Sequence, residues 1–122
     1  MKKLLTIMII LTLNSCSFKE NGIKMEIKNN SNDPITEVEF TTSERLEIIK
    51  IGRIEPNETV KEFLSMEKNK SDGFYWLTFT RPDGKKEISG GGYYTNGGSL
   101  DKWVKFEIKS DTTFYKFSGT DY

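Results

Sequence analysis

From Ile23 to Lys28 the chain alternates apolar and charged side chains without a break, reading Ile-Lys-Met-Glu-Ile-Lys. Successive side chains of an extended strand point to opposite faces, so a period of two specifies a strand with one buried and one wet face. The pattern returns at Lys102–Lys109, with Val104, Phe106 and Ile108 on the apolar side and Lys105, Glu107 and Lys109 on the charged side. Two such runs near opposite ends of a short chain set the terms for everything between them.

Turn chemistry separates further runs of the same kind. Asn29-Asn30-Ser31-Asn32-Asp33-Pro34 is a dense turn cluster, because Asn and Asp side chains bond nearby backbone and Pro34 presets its own φ. Ile35–Thr42 then reads as a strand with Val38 and Phe40 on one face and Glu37 and Glu39 on the other. Leu46–Ile54 reads as a strand interrupted near Gly52, where a bulge fits; a short helix capped by Ser43 is its rival. After the turn at Pro56–Thr59, residues Thr59–Met66 read as a strand, although Val60, Phe63 and Leu64 also suit helical spacing. Phe74–Thr80, Phe-Tyr-Trp-Leu-Thr-Phe-Thr, carries aromatics on both faces and is expected to be central, with Trp76 in the core. Arg81-Pro82-Asp83-Gly84 is a tight reversal leading to a return strand from Lys85 that Gly90-Gly91-Gly92 breaks. Tyr93–Thr95 is a short extended piece, Asn96-Gly97-Gly98 another turn, and Thr112–Ser118 a last strand.

About eight strands at near-regular spacing predict an all-β, antiparallel β-sandwich of 7–8 strands. The order of an alternating strand, an Asn-rich turn and an aromatic strand closing on Pro-Asp-Gly resembles an immunoglobulin-like Greek-key sandwich. The resemblance is architectural and covers most of the mature chain; the Cys…Trp…Cys hallmark of antibody domains is missing. Met25 and Met66 fit core positions.

Ahead of the first strand stand two lysines, an uncharged stretch from Leu4 to Leu13, then Asn14, Ser15 and Cys16. A basic start, a short apolar core and small residues at a cut site are the layout of a secretory signal. The apolar run is about half of the roughly 20 residues a membrane-spanning helix needs. With Leu13, Ser15 and Cys16 in lipobox positions, the segment resembles a bacterial lipoprotein signal; Asn14 departs from the usual small or aliphatic residue. That resemblance implies cleavage after residue 15, a diacylglyceryl thioether on Cys16 and an acylated amine, which together exceed the two signals stable anchoring requires. The expected organisation is a signal peptide over 1–15, a lipidated cysteine and tether over 16–22, and a sandwich domain over 23–122. Ser17 after the cysteine resembles sequences sent to the outer membrane of a two-membrane cell.

Composition removes several kinds of chemistry. The chain has no histidine and one cysteine, so a Ser-His or Cys-His nucleophile pair is excluded, and with Cys16 consumed by lipid no thiolate or zinc cluster is expected. Eighteen basic and eighteen acidic residues balance, and losing Lys2 and Lys3 with the leader tips the remainder slightly acidic. That balance offers no case for nucleic acid and no polybasic patch for anionic lipid. No cofactor is expected. A carboxylate-dependent hydrolase is the least favoured class, since scattered acidic residues single out no working pair.

The most unusual local feature is Ser89–Leu100, Ser-Gly-Gly-Gly-Tyr-Tyr-Thr-Asn-Gly-Gly-Ser-Leu. It lacks the lysine and following helix of a phosphate loop. Tyr93 and Tyr94, joined by Trp103 on the charged side of its strand, are candidates for an exposed aromatic platform that binds a protein or glycan partner; the alternative is a glycine-kinked strand whose tyrosines cover a sandwich edge. The function expected is a lipid-anchored, non-enzymatic binding or accessory module of the cell envelope. An envelope immunity or inhibitor lipoprotein that blocks a toxin or hydrolase is the alternative.

Overall fold

The computed structural model describes residues 20–119. The expected signal peptide, Cys16 and the first part of the expected tether lie outside the described residues. Nine strands follow one another: β1 (Gly22–Asn29), β2 (Ile35–Thr42), β3 (Ile48–Ile54), β4 (Thr59–Ser65), β5 (Gly73–Thr80), β6 (Lys86–Thr95), β7 (Gly98–Ser99), β8 (Trp103–Ile108) and β9 (Thr113–Phe117). They form two sheets, ordered β4-β1-β8-β9 and β3-β2-β5-β6-β7. Both segments with a helical rival are strands, and no helix of the described residues is long and apolar enough to cross a membrane.

Three expectations need correction. The strands number nine, because Asn96 (φ 49°) and Gly97 (φ 74°) make a turn tight enough for β7 to pair back on β6. The sandwich is not wholly antiparallel: β1 runs parallel to β8, from Lys24 opposite Trp103 to Asn29 opposite Ile108. The first strand pairs with the fourth and eighth, whereas an immunoglobulin sheet orders its strands A-B-E-D, with the first beside the second. The third correction is the glycine tract, which does not break its strand. Gly90 and Gly91 pair with Trp76 and Tyr75 inside a continuous β6.

Burial follows the alternation. Ile23, Met25, Ile27, Val104, Phe106 and Ile108 line the inner face of the smaller sheet, each at most 2% exposed. Val38, Phe40, Tyr75, Leu77, Phe79 and Tyr94 face them from the larger sheet. Phe40 links the layers, stacked on Tyr75 at 6.3 Å and edge-on to Phe106 at 5.8 Å. Met66 is fully buried beneath the Tyr75 hydroxyl, which lies 3.4 Å from its sulfur and 2.9 Å from Ser99 Oγ.

Buried polar groups fasten the turns. Asn29 is fully buried and uses its whole side chain. Its Nδ2 donates to the carbonyls of Asp33 (2.9 Å) and Ile54 (3.0 Å), and its Oδ1 accepts from the amide (3.0 Å) and hydroxyl (2.6 Å) of Ser31. Arg81 fastens the same end of the sandwich from the other sheet. From the β5–β6 turn its guanidinium forks onto the Glu87 carboxylate and donates to the carbonyl of Lys109 at 2.7 Å, tying the larger sheet to the β8–β9 turn of the smaller one.

Candidate binding surface

Adjacent residues of a strand must face opposite ways, and β6 applies this rule to its tyrosines. Tyr94 is fully buried in the core, its ring 5.4 Å from that of Tyr75, while Tyr93 points outward and is 42% exposed. The Tyr94 hydroxyl donates to Glu44 Oε1 at 2.9 Å, and Asn69 Nδ2 lies 3.3 Å from it. The Tyr93 hydroxyl donates to Asp72 Oδ2 at 3.1 Å. Trp103 stands on the outer face of the other sheet, half-buried, in a row with Lys24 and Phe63. The expected platform of Tyr93, Tyr94 and Trp103 is therefore divided between the core and two opposite faces of the sandwich.

Glu44 is the electrostatic centre of the Tyr94 cluster. Partial burial pushes its carboxyl upward, but donation from the Tyr94 hydroxyl, the Lys70 amide, the Asn69 side chain and the Ser71 amide outweighs this and holds it below the usual carboxylate range. These partners come from the Asn69–Ser71 loop and β6, so its charge ties that loop to the sheet.

A different aromatic surface emerges on β5. Tyr75, Leu77 and Phe79 point inward, so Phe74, Trp76, Thr78 and Thr80 point outward. Trp76 thus corrects its assignment to the core. The two outer rings meet edge to face at 5.4 Å. Trp76 stands between Thr41 and Gly90 on the neighbouring strands, and Thr78 between Glu39 and Ile88. Gly90 is obligatory here: at φ 149°, a Cβ would lie 2.4 Å from the Tyr75 carbonyl oxygen. Trp76 itself is half-buried. Ile88, the next outward residue of β6, is 69% exposed, and Trp76 Nε1 is buried without a hydrogen-bond acceptor.

This strip runs into a groove made by a paired distortion. The register between β2 and β3 shifts on either side of Val38, which lies opposite Gly52. Glu37 takes a φ of 50°, rare for a residue with a side chain, and Gly52 a φ of 81°. The depression, about 520 Å³, is lined by Glu37, Glu39, Lys50, Thr80, Lys86 and Ile88 among others. Glu37 accepts from Thr80 Oγ1 at 2.8 Å and lies 3.8 Å from Lys86 Nζ. Mixed charges beside an aromatic and aliphatic strip are the makings of a contact surface with an apolar centre and a polar rim. Among the described residues, no group of three His, Cys, Asp or Glu side chains is placed to hold a metal ion.

The fold has a structural counterpart. An NMR structure of a protein from Eubacterium rectale is similar to this chain with a TM-score of 0.54 at 10% identity, over 83% of this chain and 92% of that one. The likeness concerns the fold alone. No family model and no curated protein matches the chain.

Proposed function

We propose that the protein is a lipid-anchored binding or accessory module of the cell envelope, without catalysis of its own, which presents the outer face of its five-stranded sheet to a protein or glycan partner. The membrane is held through lipid on Cys16, and the sandwich carries the recognition surface. The observation that supports this reading is the exposure of Ile88, which lines the Glu37–Gly52 groove one outward row along the sheet from the Trp76–Phe74 ring pair. Interface hot spots favour tryptophan and are ringed by contacts that exclude water, and the half-buried, outward-facing Trp76 suits that role.

Reversible crosslinking in intact membranes tests it. Ile88→Asp changes a side chain that packs little against its own domain, so its melting point should match the wild type. The species crosslinked to the wild type should disappear in Ile88→Asp and persist in Lys116→Ala on the other sheet. An identical crosslinking pattern in all three proteins refutes the surface. Fatty-acid labelling that survives Cys16→Ser refutes the anchor.

A further inference from the structure

Alternation sends every second residue of the four-stranded sheet outward, and the outer face gathers lysines that lie far apart in the chain. Register sets Phe63, Lys24 and Trp103 side by side across β4, β1 and β8. The next row reads Lys61, Glu26, Lys105 and Lys116 across all four strands. With Lys28 opposite Glu107 in the row beyond, five lysines share this face with two glutamates. Glu26 is divided between Lys61 at 3.6 Å and Lys105 at 3.9 Å, so a positive surplus remains. The linear sequence holds no polybasic cluster, but the pleat assembles one.

The aromatic row lies at the end of the sheet where the chain enters the domain. Glu20, Asn21 and Gly22 border the same depression as Phe63, Leu100 and Trp103, a hollow of about 970 Å³. Leu100 is 44% and Phe63 38% exposed, and Lys105 Nζ stands 5.0 Å from the Trp103 ring centre.

We infer that this face rests on the surface of the membrane that holds the anchor, with its lysines toward anionic phospholipid headgroups and Phe63, Leu100 and Trp103 at the headgroup level. The inference builds on the lipid-anchor reading. Only Ser17, Phe18 and Lys19 lie between Cys16 and Glu20, and a chain reaches at most about 3.3–3.6 Å per residue step, so over four steps Glu20 stays within about 14 Å of the acylated cysteine. Tryptophan is enriched at the water–lipid boundary, and lysine lays its stem along apolar surface while its ammonium stays wet. Attraction of lysines to an anionic leaflet decays within a Debye length, a distance the short tether matches. In this orientation the five-stranded sheet turns its Phe74–Trp76–Ile88 strip away from the bilayer.

Tryptophan quenching in vesicles is the test. Full-length lipidated protein is reconstituted with phosphatidylcholine brominated on its acyl chains, with or without phosphatidylglycerol, and flotation is read alongside emission. In Trp76→Phe the remaining reporter is Trp103, whose emission should fall in brominated vesicles, more so with phosphatidylglycerol and less so as salt rises. In Trp103→Phe the remaining Trp76 should be unaffected. Leu100→Glu in the Trp76→Phe background should relieve the quenching and leave the melting point unchanged. Protein that floats with the vesicles while Trp103 stays bright, or quenching that Leu100→Glu does not relieve, overturns the docking and leaves the anchor standing. Protein that does not float overturns both.

Discussion

Replacing Arg81 by Met separates an interior clamp from a surface ion pair. The Arg81 side chain is 9% exposed and that of Glu87 32%. Besides its fork onto Glu87, Arg81 donates to the carbonyls of Lys109 (2.7 Å) and Ser110 (3.3 Å), lies 3.4 Å from Thr113 Oγ1, and places its guanidinium carbon 5.3 Å from the Phe79 ring centre. Methionine fills similar space but donates nothing. Removing one partner of a fully buried pair costs about 3–5 kcal/mol. Glu87 keeps some contact with water and the Thr113 hydroxyl at 3.1 Å, so the expected loss is about 2–4 kcal/mol. At about 4–8 °C per kcal/mol for a domain of this size, the melting point falls by about 8–32 °C. Arg81→Lys keeps the charge but not the planar fork and should recover only part of the loss. Urea unfolding of Arg81→Met, Glu87→Gln and the double variant gives the coupling directly, expected above about 1 kcal/mol. A loss under about 1 kcal/mol with no coupling would show that Arg81 behaves as an exposed pair, and the cross-sheet clamp would be wrong.

The adjacent tyrosines should behave oppositely: Tyr94→Ala should cost about 3–5 kcal/mol and Tyr93→Ala no more than about 0.5 kcal/mol in the same melts; equal losses would contradict their placement on opposite faces. Glu44 has its folded pKa depressed below the ordinary 4.5, so its contribution is present above that pH and disappears as pH falls through the folded value. Glu44→Gln should therefore flatten the acid limb of a stability–pH profile, and an unaltered limb would contradict the cluster. Gly97→Ala should destabilise by about 1–3 kcal/mol, since φ is +74° and the new Cβ would lie 2.0 Å from the Asn69 carbonyl oxygen; a neutral result would mean that the turn relaxes freely.

The period-two runs were legible residue by residue. Val104, Phe106 and Ile108 point inward as their spacing requires, and Met25 and Met66 lie in the core. Other features needed long-range information. Nothing local announces that β1 will lie parallel to β8, because that pairing joins residues from opposite ends of the chain. Trp76 was misplaced because β5 is apolar on both faces, so its own pattern does not say which face meets the second sheet. On composition the glycine tract reads as a breaker, yet Gly90 and Gly92 answer to neighbours: the Tyr75 carbonyl and the Phe117 ring leave no room for a Cβ. The split of Tyr93 from Tyr94 was readable, since the alternation that organises the first strand also forbids two neighbours on one face. The lysine face was hidden for the reverse reason: each lysine is ordinary in its own strand, and only the register collects them.

The β1–β8 pairing also governs the order in which the molecule can be finished. A chain delivered from its N-terminus presents Ile23, Met25 and Ile27 first, and β4 can cover one edge of their strand early. The other edge waits for Trp103–Ile108. Distant pairings are slow to form, since loop closure must precede the contacts that reward it. Until β8 arrives, this inner strand of the smaller sheet has an open side, the condition under which chains pair with the wrong neighbour. Strict alternation limits that hazard: any slip by one residue would turn Lys24, Glu26 and Lys28 into the core, so β1 is held open yet selective for a single register.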